Sequence, residues 1–118
     1  MGNSIRRTLA EDRTATVTVC GEIDFSNADD VADCVRAALG EWPVEVIQIE
    51  LGEATFVDST GLGALIEGYR AATESGVRFM VVNPTRIFYR VLTVTGLTEL
   101  FGLTEPVAEI AQTREVGA

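Results

Sequence analysis

The chain has 118 residues and a formal net charge of −9, with eighteen acidic residues against nine arginines, and it contains neither histidine nor lysine. Without histidine there is no Ser-His-Asp triad, Cys-His pair or HExxH zinc site, and without lysine there is no P-loop or Schiff-base lysine. These absences exclude most familiar catalytic machinery. The acidic charge argues against direct nucleic-acid binding, which needs clustered basic residues.

Length and hydropathy indicate one folded domain over residues 1–118. Hydrophobic residues make up 47% of the chain, too many for a disordered protein, yet the apolar runs are far too short to cross a membrane. The N-terminal residues contain no apolar segment of a secretion signal, so we expect a cytoplasmic protein. Cys20 and Cys34 lie in apolar-patterned segments and are expected to be reduced core thiols.

The first predicted elements are a strand pair and a helix. Residues 15–19 alternate apolar and hydroxyl side chains, the period of a half-buried strand, and a shorter strand at 5–9 is placed to pair with it across a polar turn. Ser26 offers an N-cap with Asp29 three residues later, and an apolar helical face follows until Gly40 ends the helix.

The rest of the chain alternates strands with helices. These elements are a strand at 44–51, a helix from 62 to Gly76, a strand at 79–82, a helix from Asn83-Pro84 to about Gly96, a short strand at 100–101 and a helix from Thr104 to 110. The nearly continuous apolar run at 44–51 indicates a central strand covered on both faces, and residues 112–118 are expected to fray. The order predicts an α/β domain with a mixed sheet of four to five strands and about four helices.

Residues 56–63, Phe-Val-Asp-Ser-Thr-Gly-Leu-Gly, are the best candidates for chemistry, because they put two hydroxyls and a carboxylate where a strand gives way to a helix. The plain interpretation is a helix N-cap, in which Asp58 and Ser59 bond free amides. The spacing does not fit a dinucleotide fingerprint, whose third glycine would stand at Ile66. It does not fit the contiguous Asp-Ser/Thr-Gly of an aspartic protease either.

What remains is a hydroxyl that another protein modifies. A phosphoryl group on Ser59 or Thr60 would lie beside the amides of a helix N-terminus, which favour an anion, while Asp58 and Asp24 would repel it. The net effect on the domain is therefore expected to be small. A partner bound at this loop would instead meet about 1.5 to 2 added negative charges, so the pattern predicts a binding switch.

Three motifs, in this order, resemble the STAS-domain anti-sigma factor antagonists of bacteria: Gly-Glu-Ile-Asp at 21–24, the segment 56–63 just described, and Thr-Gly-Leu at 95–97. The resemblance implies partner switching. In that family the unphosphorylated antagonist binds an anti-sigma factor, a serine kinase with a histidine-kinase-like ATP-binding fold, and so frees a sigma factor. The kinase then phosphorylates the antagonist on a hydroxyl of its Asp-Ser-Ser/Thr-Gly motif and releases it, and a metal-dependent serine phosphatase restores it.

The resemblance also implies which residues carry the switch. Ser59 and Thr60 are the candidate phosphoacceptors, with Ser59 favoured, and Asp24 belongs to a loop that lies beside the phosphorylation loop in the family. The implied partner-binding residues are Asp24, Asp58, Ser59, Thr60, Gly61, Leu62 and Gly63. No catalytic residue, metal or cofactor is implied, because the chain would be a substrate of a kinase and a phosphatase. For Asp24 the alternative is a loop carboxylate that bonds local backbone.

The sequence departs from the family pattern in one place and leaves an alternative function open. Family members often carry an aromatic residue and a proline shortly after Gly-Glu-Ile-Asp, whereas residues 25–28, Phe-Ser-Asn-Ala, have the aromatic without the proline, a change that bears on which kinase is recognised. The alternative is a STAS binding or scaffold subunit that is never phosphorylated, such as the small STAS subunit of bacterial lipid-transport complexes. A nucleotide-hydrolysing enzyme is disfavoured, because no residue set for metal and phosphate activation is evident.

Overall fold

A computed structural model of the chain describes residues 4–102, which form five strands and three helices. In chain order these are β1 (Ser4–Leu9), β2 (Thr14–Ile23), α1 (Ala28–Glu41), β3 (Val46–Glu50), β4 (Ala54–Val57), α2 (Ser59–Glu74), β5 (Arg78–Val82) and α3 (Arg86–Val94). The sheet order is β1-β2-β3-β5, with β4 also paired to β2. Only β1 runs antiparallel to its neighbour, so the predicted mixed α/β sheet is confirmed.

The length of β2 explains how one strand serves two parallel partners. Its first half, residues 14–18, pairs with β3, and its last residues, 21–23, pair with β4. The register shifts between Gly21 and Glu22, a bulge at which the strand changes partners. The consequence for the site is that β2 and β4 end side by side, so the loops that follow them are neighbours.

The core lies between the sheet and two helices, α1 and α2, which pack against each other. Alternate residues of β2 and β3 are fully buried, as the period-two pattern requires. Gly68 of α2 permits the close packing, since a Cβ there would lie 3.2 Å from Phe79 Cε2 and 3.3 Å from Val35 Cγ2. The two helices are thereby fixed tightly against the sheet that carries the site loops.

Several sequence expectations need correction at the level of single elements. The central strand is not covered equally on both faces, because Ile47 and Ile49 are fully buried while the alternate residues Val46, Gln48 and Glu50 are half-buried. Residues 98–102 form turns instead of the short strand expected at 100–101, although Val81 N donates to Phe101 O at 3.0 Å. The expected helix from Thr104 to 110 and the fraying tail at 112–118 lie outside the described residues.

The N-caps of two helices also differ from the prediction. Asn27, not Ser26, precedes α1, because the Ser26 hydroxyl donates to Asp24 Oδ1. For α3 the cap is Thr85, whose Oγ1 accepts from Phe88 N at 3.2 Å, while Asn83 adopts a left-handed φ of +53° one residue before the proline. At α3 a neighbouring polar residue forms the cap, whereas at α1 Asn27 holds the N-cap position without a side-chain cap bond.

Candidate functional site

The two loops singled out by the sequence meet at one edge of the sheet. Ile23 and Val57 are paired residues at the ends of β2 and β4, so Asp24 and Asp58 each follow directly after a paired strand end. Asp58 N donates to Ile23 O at 3.1 Å, which ties the start of the second loop to the first. Because parallel strands end at the same edge, this is where a ligand or partner of such a sheet is usually bound.

Asp58 is the N-cap of α2. Its backbone is extended (φ −104°, ψ −177°), its Oδ1 accepts from Gly61 N at 2.8 Å, and its carbonyl accepts from Leu62 N at 3.0 Å. The plain N-cap interpretation of this aspartate therefore holds as a structural fact. It fixes the orientation of the first turn of α2, which carries both candidate hydroxyls.

Ser59 and Thr60 are the first two residues of α2, and both are exposed. Within residues 4–102 neither hydroxyl makes a hydrogen bond, and their backbone N–H groups have no helical acceptor because they lie in the first turn. No acidic residue occupies the first turn of α2. An anion attached to either hydroxyl would therefore meet free amides and the positive end of the helix dipole.

The glycines of the motif have different roles. Gly61 is buried, and a Cβ on it would lie 2.4 Å from Ile23 O and 2.9 Å from Val57 Cγ2, so only glycine lets α2 begin this close to β2. Gly63 has no atom within 4 Å of such a Cβ. Of the predicted partner-binding residues, Gly61 is thus buried at the start of α2 and Leu62 is partly buried against the core, and their contact with a partner stays a prediction.

Asp24 is held by its own loop. Its Oδ1 accepts from the Ser26 hydroxyl at 2.6 Å and from Ser26 N at 3.0 Å, and these bonds hold the pKa of the Asp24 carboxyl below its ordinary value of 3.8. Its carbonyl accepts from Ala28 N at 2.8 Å. Asp24 thus bonds the backbone and side chain of its own loop, as the alternative to a partner-binding role predicted. Its carboxylate remains charged at neutral pH beside the start of α2.

Asn27 is a site residue that the sequence argument missed. Its side chain is only 6% exposed, its Oδ1 accepts from Asp24 N at 2.9 Å, and its Nδ2 donates to Glu22 O at 2.7 Å. It does not cap α1 with its side chain. Instead it closes the loop that presents Asp24. The signal in the sequence was an Asn three residues after an Asp, a spacing that favours a side-chain bond back to the backbone.

Two large apolar side chains near these loops are open to solvent. Phe25, next to Asp24, is 80% exposed, and Phe56, three residues before Ser59 on β4, is 52% exposed. Phe56 pairs with Glu22, so it lies at the paired strand ends of β4 and β2 that lead to the two loops. Exposed aromatic residues beside a polar centre are typical of protein-protein interfaces.

The cysteines and the acidic residues do not form a second chemical centre in the part of the chain that is described. Cys20 and Cys34 are free thiols and only half-buried, which corrects the expectation of core thiols, and burial raises the pKa of Cys34. Within residues 4–102 no cluster of three His, Cys, Asp or Glu side chains is placed to hold a metal ion. No helix in that range is long and apolar enough to span a membrane.

Known proteins share this fold and cover most of the chain. The family model for the STAS domain matches residues 7–114. The anti-sigma-B factor antagonist of Listeria monocytogenes is 25% identical over 84 residues, which cover 71% of this chain and 73% of that protein. The anti-sigma factor antagonist SpoIIAA in its unphosphorylated form is 20% identical with a TM-score of 0.73, and it covers 98% of both chains.

The Bacillus cell fate determinant SpoIIAA has also been solved in its phosphorylated form. That structure is 20% identical to this chain, with a TM-score of 0.67, and it covers 94% of this chain and 98% of its own. At this identity the two solved structures show a shared fold. Together with the match to the family model, they confirm the fold predicted from the motifs.

Proposed function

Because this chain belongs to the STAS domain family, we propose that it is an anti-sigma factor antagonist that works as a phosphorylation-controlled partner switch. The unphosphorylated form binds an anti-sigma factor, which is itself an ATP-dependent serine kinase, and so frees a sigma factor. Phosphorylation of Ser59 or Thr60 breaks that complex, and a serine phosphatase restores the active form. The name of the Listeria relative supports the antagonist role, and a sigma-factor partner implies the cytoplasm as the site of action.

One observation carries the proposal: two exposed hydroxyls stand at the start of α2, whose first turn is already capped. Asp58 Oδ1 accepts a hydrogen bond from Gly61 N, so the cap of α2 does not depend on Ser59 or Thr60. Either hydroxyl is therefore available for modification without loss of a structural bond. The free amides of the first turn would stabilise an attached phosphoryl group, which offsets the repulsion from Asp58 and Asp24.

The switch acts on the partner more than on the domain. A phosphoryl group adds about 1.5 to 2 negative charges and three acceptor oxygens at a surface that carries a neutral hydroxyl before modification. A partner packed on that surface would have to desolvate this charge or move away from it. A differential of about 2.8 kcal/mol in binding free energy suffices for a hundredfold change in affinity.

The groups that perform the phosphoryl transfer belong to the partner in this proposal. The chain has no histidine or lysine, and the Oδ1 of Asp58, the carboxylate adjacent to Ser59 in sequence, is bonded to Gly61 N. This chain's own contribution is to hold the hydroxyl on a fixed turn at the sheet edge. Its restricted motion positions the hydroxyl oxygen to attack the γ-phosphate of the ATP bound by the kinase. The chain is thus a substrate, not an enzyme.

The direct test is phosphorylation by an ATP-binding anti-sigma factor encoded beside this chain. We expect mass spectrometry of the intact protein to show a gain of one phosphoryl group, which peptide mapping places on Ser59 or Thr60. Ser59→Ala and Thr60→Ala identify the acceptor, and Ser75→Ala, at the opposite end of α2, is the matched control that leaves the gain intact. No gain with any such kinase would contradict the switch and favour a STAS scaffold subunit that is never phosphorylated.

A further inference from the structure

The outward side of α3 is apolar where a surface helix is normally polar. Ile87 and Val94 lie seven positions apart, two helical turns, and so share one side of the helix, with Arg90 between them. Ile87 is 73% exposed and Val94 is 80% exposed, while Phe88 and Leu92 on the opposite side are buried in the core. We call the surface formed by Ile87, Arg90 and Val94 the outer face of α3.

The helix that carries this surface lies beside the strand that leads to the loop of Ser59 and Thr60. Helix α3 packs against β4, which carries the half-exposed Phe56. Phe56 precedes Ser59 by three residues, a distance of about 10 Å along an extended chain. A partner that covers Ser59 and extends along β4 would therefore approach α3 as well.

The charge on the outer face of α3 is opposite in sign to the net charge of the chain. Arg90, between Ile87 and Val94, is the charged residue of the outer face of α3, in a chain whose net charge is −9. Arg90 has no ion-pair partner among residues 4–102. An apolar surface with an arginine at its centre fits a partner surface that is apolar and carries a carboxylate opposite that arginine.

A second copy of this chain does not meet that description. A symmetric dimer places the same surface on both copies, so the arginines of α3 in one copy would lie against those of the other and repel them. An anionic membrane is disfavoured as well, because the remainder of the chain is strongly acidic. The complementary occupant is a different protein.

Resting on the proposed function, we propose that the outer face of α3, together with Phe56, is a second docking surface for the anti-sigma factor, which contacts it with an apolar patch that carries an Asp or Glu carboxylate opposite Arg90. This surface lies outside the loop that is phosphorylated. The outer face of α3 contributes binding free energy that phosphorylation does not change. The loop around Ser59 contributes the binding free energy that phosphorylation removes. The outer face of α3 also sets which anti-sigma factor is accepted.

The test compares exposed substitutions with matched controls by titration calorimetry against the recombinant anti-sigma factor. We expect Ile87→Ser and Arg90→Glu each to weaken binding about tenfold, as loss of an interface anchor does. The controls are Leu9→Ser on the distant β1 and Arg70→Glu on the surface of α2, which should bind like the wild type. Val94→Ser is a second apolar variant, and thermal melts verify that every variant is folded.

The salt dependence of binding and a double variant test the charge and the independence of the second docking surface. The affinity of the wild type should fall as salt is raised, and Arg90→Glu should remove part of that dependence, because an exposed charge pair is screened. In a background with Ser59→Asp, Ile87→Ser should cost the same factor as in the wild type. Equal costs indicate that the two surfaces act independently.

The outcomes separate this inference from the proposed function. If Ser59→Asp or Thr60→Asp weakens binding while Ile87→Ser, Val94→Ser and Arg90→Glu bind like the wild type, the antagonist role stands and the second docking surface is refuted. If the wild type binds no ATP-binding anti-sigma factor, both fail. A concentration-dependent dimer of the free protein that Ile87→Ser abolishes would also overturn the inference, because the occupant would then be a second copy.

Discussion

Two helices begin at the same edge of the sheet and are built in opposite ways. The first turn of α1 carries Asp29 and Asp30, and its N-cap residue, Asn27, turns its side chain back to the preceding loop. The first turn of α2 has no acidic residue, and its N-cap, Asp58, bonds the amide of Gly61. Only α2 leaves exposed hydroxyls beside free amides.

The difference shows where an added anion can be accommodated. At α1 the two carboxylates already use the positive end of the helix dipole, so a phosphoryl group there would meet like charge. At α2 the charge that would repel an added anion most closely is that of Asp58, which is also the N-cap. The start of α1 therefore supports Asp24, and the start of α2 is where the proposed phosphorylation would change the charge.

The largest effect is expected where α2 is packed most closely. Gly61→Ala places a Cβ 2.4 Å from Ile23 O, so the first turn of α2 has to move, and we expect a loss of about 3 kcal/mol in the free energy of unfolding. Urea denaturation measures it. Gly63→Ala is the matched control, because it has open space and should stabilise α2 by about 0.5 to 1 kcal/mol. Equal effects at both glycines would contradict the close approach.

The next effect tests the support of Asp24 at α1. Asn27→Ala removes the two partly buried bonds to Asp24 N and Glu22 O, so we expect a loss of about 2 kcal/mol. Chemical denaturation again measures it, and amide exchange should show faster exchange at Asp24. If Asn27→Ala were as stable as the wild type, the loop would not depend on this side chain.

A smaller effect is expected at the cap of α2. Asp58→Ala removes the bond to Gly61 N and should cost about 1 kcal/mol, whereas Asp58→Asn keeps an acceptor oxygen and should recover most of it. Thermal melts of the two variants compare them directly. A full loss in Asp58→Asn would mean that the negative charge, not the hydrogen bond, holds the helix start.

The smallest effect concerns the titration of Asp24. Hydrogen bonds from Ser26 favour the charged carboxylate, so its folded-state pKa lies below 3.8, and the stability they add is present above that pH and is lost as the pH falls through the folded-state value. Ser26→Ala should raise the pKa of Asp24 toward 3.8 in an NMR titration. Ser75→Ala is the control that leaves it unchanged, and an unmoved titration in Ser26→Ala would contradict this cause.

Some features of the structure could be predicted from local sequence patterns and others could not. The strand positions at 15–19 and 79–82 follow from apolar periodicity, because burial on a sheet selects alternate side chains. The adjacency of Asp24 and Asp58 came from the family resemblance, since it depends on a long β2 that pairs with β4 beyond a bulge. No local pattern gives that pairing.

The errors have a common physical origin. Ser26 and Asn83 both looked like caps, yet the local bonds of Asp24 engage Ser26, and a left-handed backbone moves the start of α3 to Thr85. Several polar residues in a row compete for the same amides, and the tertiary position of the loop decides between them. Burial of Gly61 was likewise invisible in the sequence, because it depends on how closely α2 lies against β2.

The most direct test of the account is the affinity of one purified anti-sigma factor for this chain before and after that factor phosphorylates it. We predict a decrease of about a hundredfold or more in affinity on phosphorylation at Ser59 or Thr60, with an unchanged circular dichroism spectrum and reversal by a serine phosphatase. Equal affinity of the phosphorylated and unphosphorylated forms would contradict the claim that the start of α2 is the switch.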